Sequence, residues 1–223
     1  MAVFGASLSV FFKKLTKAGG LAGFVVALLI YFGLGWWAIL LMGAFFLMAT
    51  AATAVNKIKE KEMISSDEAS GRTAGQVLAN GDLAALCGTA AILFPHLSNL
   101  WMLLLAAAFS SAAADTVSSE LGTKYGSRFY DVLKFRKGQK GDNGVISLEG
   151  LLFGLFASLA ISILHGLNCG CTYQIFVVLL AGLVGNLTDS VLGATLERRG
   201  LLTNNWVNFL NTLAAAIFAF LIY

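Results

Sequence analysis

The chain has 223 residues, of which 58% are hydrophobic and 12% charged, with a formal net charge of +3 and a mean hydropathy of +0.80. Half the usual charge fraction leaves too little polar surface for a water-soluble domain of this size, and a charge of +3 offers no extended basic face for nucleic acid. The composition predicts an all-α polytopic membrane protein, residues 1–223 forming one integral membrane domain.

The first stretch, "MAVFGASLSVFFKKLTKAGG", has its lysines after the apolar residues, the reverse of a cleavable signal peptide. Residues 1–18 therefore read as a short interfacial segment. Seven spans are expected to follow, at 19–33, 36–55, 74–94, 99–117, 146–166, 174–194 and 203–222. The turn "GLGWW" between the first two is tight, so they read as a full hairpin, a bent pair or a re-entrant element. Trp36 and Trp37 suit a membrane interface.

All fifteen Lys and Arg lie before the first span or in three loops, 56–73, 118–145 and 195–203. By the positive-inside rule the N-terminus and these loops are cytoplasmic. "PHLSN" and "HGLNCGCTYQ" are then the opposite loops. Cys87 lies in an apolar run; Cys169 and Cys171 form a C-G-C, which lacks the four ligands of a structural zinc site. With no transit peptide apparent in so compact a chain, a prokaryotic plasma membrane is the expected setting.

The costly residues gather at the cytoplasmic ends of the spans. Asn80 and Asp82 sit in "LANGD", and Asp115 closes the fourth span. Asp189 lies in "GNLTDS" with Asn186 one turn deeper, Glu149 opens the fifth span, and Asn204, Asn205 and Asn208 open the seventh. Glu149 and Glu197 read as ordinary helix-end residues. Asp115 and Ser119, four apart, share a helix face. "DTVSSELG" and "DSVLGATLE" read alike, each running from Asp through a hydroxyl to Glu120 or Glu197. This weak parallel repeat predicts two carboxylate-bearing spans facing each other.

The loop "KFRKGQKGDNGVISLEG" is basic, glycine-rich and opens a helix, so it can cradle phosphate through backbone N–H groups and flanking cations, although it is no Walker A sequence. Carboxylates beside hydroxyl and amide oxygens suit Mg²⁺ bridging protein to substrate phosphates. The constellation predicts phosphoryl or nucleotidyl transfer to a lipid phosphate, with Asp115 holding the metal that holds the phosphates.

Five stretches, "RTAGQVLANGDLAAL", "AADTVSSELG", "GDNGVISLEG", "GNLTDSVLGATLERRG" and "LTNNWVNFLNT", together resemble a family of integral membrane proteins that includes the phytyl phosphate kinase of the vitamin E pathway. The resemblance covers residues 15 to 222. It implies transfer of the γ-phosphate of CTP, or another nucleoside triphosphate, to an isoprenoid monophosphate. It also implies a site at Asn80, Asp115, Ser119, Glu120, Asn143, Gly144, Asp189, Ser190, Asn204, Asn205 and Asn208. Departures from the family pattern are Val117, Ser118, "FRKGQK", Val145 and Glu197.

The leading expectation is thus a Mg²⁺-dependent isoprenoid phosphate kinase. Asp115 and Asp189 bind metal with Glu120 assisting, and Arg136, Lys137 and Lys140 neutralise the triphosphate. Asn143 and Asn205 orient phosphate or base, and Asn80, Asp82, Ser119, Gly144, Ser190, Asn204 and Asn208 complete the substrate site. The alternatives are a lipid-phosphate cytidylyltransferase, which releases pyrophosphate, and a transporter or flippase of an anionic lipid or small solute.

Overall fold

The computed structural model describes residues 14–60, 71–170 and 172–223. Most of the expected interfacial segment 1–18, residues 61–70 of the 56–73 loop and Cys171 lie outside the described residues.

Among the described residues, six helices are long and apolar enough to cross a bilayer. They are α1 (Lys17–Glu60), α2 (Ala74–Leu93), α3 (Ser98–Tyr125), α4 (Leu148–Cys169), α5 (Thr172–Leu192, continued by a π turn at Gly193–Glu197) and α6 (Asn204–Ile222). The count is one below the seven expected spans because the first two belong to one element. α1 breaks at Gly35, whose φ of 75° and ψ of −159° are open to glycine and strained for other residues. Thr16 N donates to Arg72 O at 3.1 Å, and the Arg72 guanidinium reaches Thr53 Oγ1 at 3.5 Å. A straight helix would hold residues 16 and 53 about 55 Å apart. The chain therefore doubles back at Gly35, and arms 17–34 and 36–60 return to the same face.

α3 is the axis of the bundle. Leu103, Leu105, Ala106, Ala107, Ala108, Ala112, Ala113 and Ala114 are all fully buried, so this helix is covered on every side. Its alanines and serines let neighbours approach closely, as small residues do in membrane bundles. Phe109 stacks on Phe45 of α1 at 5.7 Å between ring centroids. The Ser110 and Ser158 hydroxyls lie 2.7 Å apart between α3 and α4. Thr73 caps α2 in a reciprocal capping box with Gln76, and Ser147 caps α4 by accepting from Gly150 N at 3.1 Å.

The expected loop 118–145 needs correcting. α3 continues to Tyr125, and a small antiparallel sheet follows, with β1 (Phe129–Asp131), β2 (Arg136–Lys137) and β3 (Val145–Ser147) in the order β2-β1-β3. The membrane part is all-α, as expected. The sheet folds the loop back under the bundle and brings its glycines to the ends of α3 and α5.

Candidate functional site

A cavity of about 730 Å³ opens among the ends of α1, α2, α3, α5 and α6, on the face that carries the basic loops. Its floor comes from two helices running the same way. α3 brings Asp115 and α5 brings Asp189, and the two carboxyl groups come within hydrogen-bonding reach. The paired arrangement expected from "DTVSSELG" and "DSVLGATLE" is therefore what the fold builds. Asn211 of α6 braces it from below: Nδ2 donates to Asp189 Oδ1 at 2.9 Å, and Oδ1 accepts from Ser111 Oγ at 3.0 Å. Asn211 is fully buried, so its amide is spent on fixing one carboxylate against α3.

Glu120 does not join that pair. Five residues after Asp115 on a helix, it points about 140° away. Its carboxylate accepts from Thr53 Oγ1 and Asn56 Nδ2 of α1, each at 2.8 Å. Among the described residues, no three His, Cys, Asp or Glu side chains gather into a metal-binding cluster. The expected trio Asp115, Asp189 and Glu120 thus splits into a facing pair and a separate anchor for α1. Glu197, read from the sequence as a helix-end residue, is the third carboxylate whose charge acts on the pair. It lies on the π turn, a helix irregularity common at functional sites, and hydrogen-bonds with the Asn143 side chain.

The glycine loop forms the cavity rim. Gly144 has a φ of 72°, and a Cβ there would lie 2.3 Å from Ala194 Cβ. Only glycine lets the loop rest on the π turn at this point. Arg198 ties the arrangement together. Its Nη1 bonds Asp131 Oδ2 at 2.7 Å, and its Nη2 donates to the Asn143 carbonyl. Asp131 also accepts from the backbone N–H groups of Leu133 and Lys134, each at 3.0 Å. The Arg198 hydrogen bond, helped by these N–H donors, holds the Asp131 carboxyl down to about 2.

Asn80, Ser119, Asn143, Gly144, Ser190, Asn204 and Asn208 line the cavity with the two aspartates and Glu120. Arg136, Lys137 and Lys140 do not. They are exposed, and Arg136 and Lys137 pair with Asp131 and Tyr130 across the edge of the sheet, away from the cavity. Among the described residues, the cations on the cavity wall are Lys14 and Arg72. Burial lowers the pKa of Arg72, and the charge of Glu120 opposes that shift. Asp82 and Asn205 line a second, neighbouring cavity instead. Thr53 and Asn56 are partners that no motif marks, although two polar residues three apart in an apolar run share a helix face.

Residues 1–216 match the protein family described as Integral membrane protein DUF92. The chain belongs to this family. The DUF92 relatives include a membrane protein of Synechocystis described as uncharacterized, 33% identical over 212 residues that cover 93% of this chain and 82% of the relative. A similarly described protein of Methanocaldococcus jannaschii is 29% identical, over 97% of this chain and 90% of its own length. Protein VTE6, chloroplastic, of Arabidopsis thaliana is 31% identical over 93% of this chain and 65% of the plant protein. No solved structure matches. The family resemblance read from the five motifs is the one these DUF92 matches establish, and all five motifs contribute residues to the cavity wall.

Proposed function

We propose that this DUF92 protein is a lipid-phosphate kinase working at the membrane surface. The observation that carries the reading is the facing pair Asp115 and Asp189 on the floor of a polar cavity of about 730 Å³. Among the described residues, no basic side chain bonds either carboxylate. Two facing carboxylates without a counter-cation favour a hard divalent ion. Asn80 lines the same cavity, and among the described residues its buried Oδ1 has no hydrogen-bond partner, so it is a candidate for a further oxygen ligand. Asp115, Asp189 and Asn80 would hold Mg²⁺, which when bound neutralises phosphate charge.

The chain's own groups do the rest. Lys14 and Arg72 on the wall attract a polyanion, and the Asn143–Gly144 rim borders the space beside the aspartates. A phosphate oxygen of the lipid monophosphate attacks the donor's γ-phosphorus. The bond from that phosphorus to the β,γ-bridging oxygen breaks, the nucleoside diphosphate leaves, and the lipid becomes a diphosphate. No protein nucleophile is required, since a phosphate dianion attacks unaided and positioning dominates. The motif resemblance supports an isoprenoid monophosphate as acceptor and CTP as donor. The positive-inside rule supports a cytoplasmic cavity, where the donor is found.

The test is turnover by purified protein in detergent with Mg²⁺, labelled CTP or ATP, and phytyl or geranylgeranyl monophosphate. Diphosphate lipid and nucleoside diphosphate are expected. Asp115→Asn and Asp189→Asn should each lower the rate about 10²–10³-fold. Pyrophosphate release would replace this reading by nucleotidyl transfer, and no turnover with any of these pairs would overturn it.

A further inference from the structure

A second cavity, of about 540 Å³, lies between α2 and α6, with Leu29 of α1 contributing to its wall. It neighbours the first without sharing a lining residue with it. Asn204 lines one and Asn205 the other, and Asn80 and Ala79 divide in the same way. Along α2 it extends from Gly75 to Thr89, a rise of about 21 Å, somewhat more than one leaflet of a bilayer core about 30 Å thick.

Its character changes along that length. Asn205 and, midway, Asp82 place polar groups among Leu78, Ala79, Trp206 and Phe209 in the half that begins at Gly75, and an ionisable side chain in a span belongs on such a wall. Beyond Asp82 the wall is Ala85, Leu86 and Leu29. The hydroxyl of Thr89 there is satisfied by Ala85 O of its own helix at 2.9 Å. Leu86 and Trp206 are each 58% exposed, so the groove opens sideways to the bilayer.

We propose that this groove takes the hydrocarbon chain of a lipid monophosphate whose phosphate lies in the Asp115–Asp189 cavity, an inference that rests on the kinase reading. An end with polar groups beside the phosphate site, an apolar end at leaflet depth and a lateral opening describe a seat for one single-chain amphiphile. The acceptor enters from the membrane between α2 and α6, while the donor nucleotide comes from the aqueous side.

Geranylgeranyl monophosphate with a diazirine at the chain terminus, photolysed with the full-length protein in detergent, tests this. Adducts are expected on α2 and on Leu29, removed by excess unlabelled geranylgeranyl monophosphate. Leu86→Trp, at an exposed position where the fold tolerates bulk, should lower their yield about tenfold without changing CTP binding. Competable adducts around Phe156 and Leu167 on α4, or groove adducts that the competitor does not remove, would overturn the groove while sparing the kinase reading. No competable adduct anywhere would also overturn the groove, and the turnover assay decides the kinase reading separately.

Discussion

Arg198 holds two parts of the charged-face loop at once, with Nη1 2.7 Å from Asp131 Oδ2 and Nη2 bonded to the Asn143 carbonyl. One planar fork thereby sets the distance between the small sheet and the rim of the Asp115–Asp189 cavity.

Arg198→Ala should free the 141–144 segment without disturbing the bundle. Faster amide hydrogen exchange at Asn143 and Gly144, and a KM for the nucleotide raised about tenfold, are expected from losing a charge-assisted bond pair. Arg198→Lys should recover little, because an ammonium cannot serve both acceptors in one plane. Unchanged exchange in Arg198→Ala would show that the loop does not depend on this residue.

The low pKa of Asp131, about 2, fixes the sign of a pH effect. A carboxyl depressed in the folded state contributes stability that is fully present above its unfolded value, about 3.9. That contribution is lost as pH falls through the folded value. Asp131→Asn should therefore lower the melting temperature in detergent above about pH 4, and the gap from wild type should close towards pH 2. A gap constant across that window would contradict the assignment.

Gly144 and Gly141 offer a paired comparison. Both have positive φ, 72° and 87°, but a Cβ at Gly141 meets nothing within 4 Å while one at Gly144 meets Ala194. Gly141→Ala should cost about 1–2 kcal/mol from backbone strain alone. Gly144→Ala should cost more and abolish turnover, as the rim is pushed off the π turn. Thermal unfolding of the two variants, with activity measured alongside, decides it.

Glu120 should behave as a structural anchor and not as a metal ligand. Its bonds to Thr53 and Asn56 join α3 to the second arm of α1. Glu120→Gln should lower thermal stability and leave the Mg²⁺ concentration for half-maximal activity within about twofold. Asp115→Glu should move that concentration by about tenfold or more. A Mg²⁺ titration of residual activity separates the roles, and equal shifts in both variants would return Glu120 to the metal site.

The acidic and amide side of the site was legible because such residues are expensive inside apolar runs and stand out wherever they occur. Asp115, Asp189, Asn80 and Asn208 needed no tertiary information. The basic side was not legible. Arg136, Lys137 and Lys140 had the composition of a phosphate cradle, but pairing with Asp131 and Tyr130 places Arg136 and Lys137 on an exposed strand, and Lys140 lies in the exposed turn that follows. Strands of two and three residues are too short to show alternation. Lys14 and Arg72 reach the cavity because backbone bonds join residues 14–16 to Arg72, a contact between segments far apart in the chain. Glu197 was hidden by the π turn, since helical spacing at 3.6 residues per turn misplaces residues after such an irregularity.

The reversal at Gly35 also sets the sidedness of the chain. Each passage exchanges one face for the other, so an odd number leaves Lys14 and Tyr223 on opposite sides. Tyr173 Oη donates to the Ile222 carbonyl at 3.0 Å, which ties the far end of α6 to the start of α5, remote from the cavity. Were α1 a single crossing, the segment bearing Lys14 would start on that remote side, and the cavity would lose a cation without any change in its own walls. One glycine thus acts on the site as a switch of parity: it determines which side of the membrane holds Lys14.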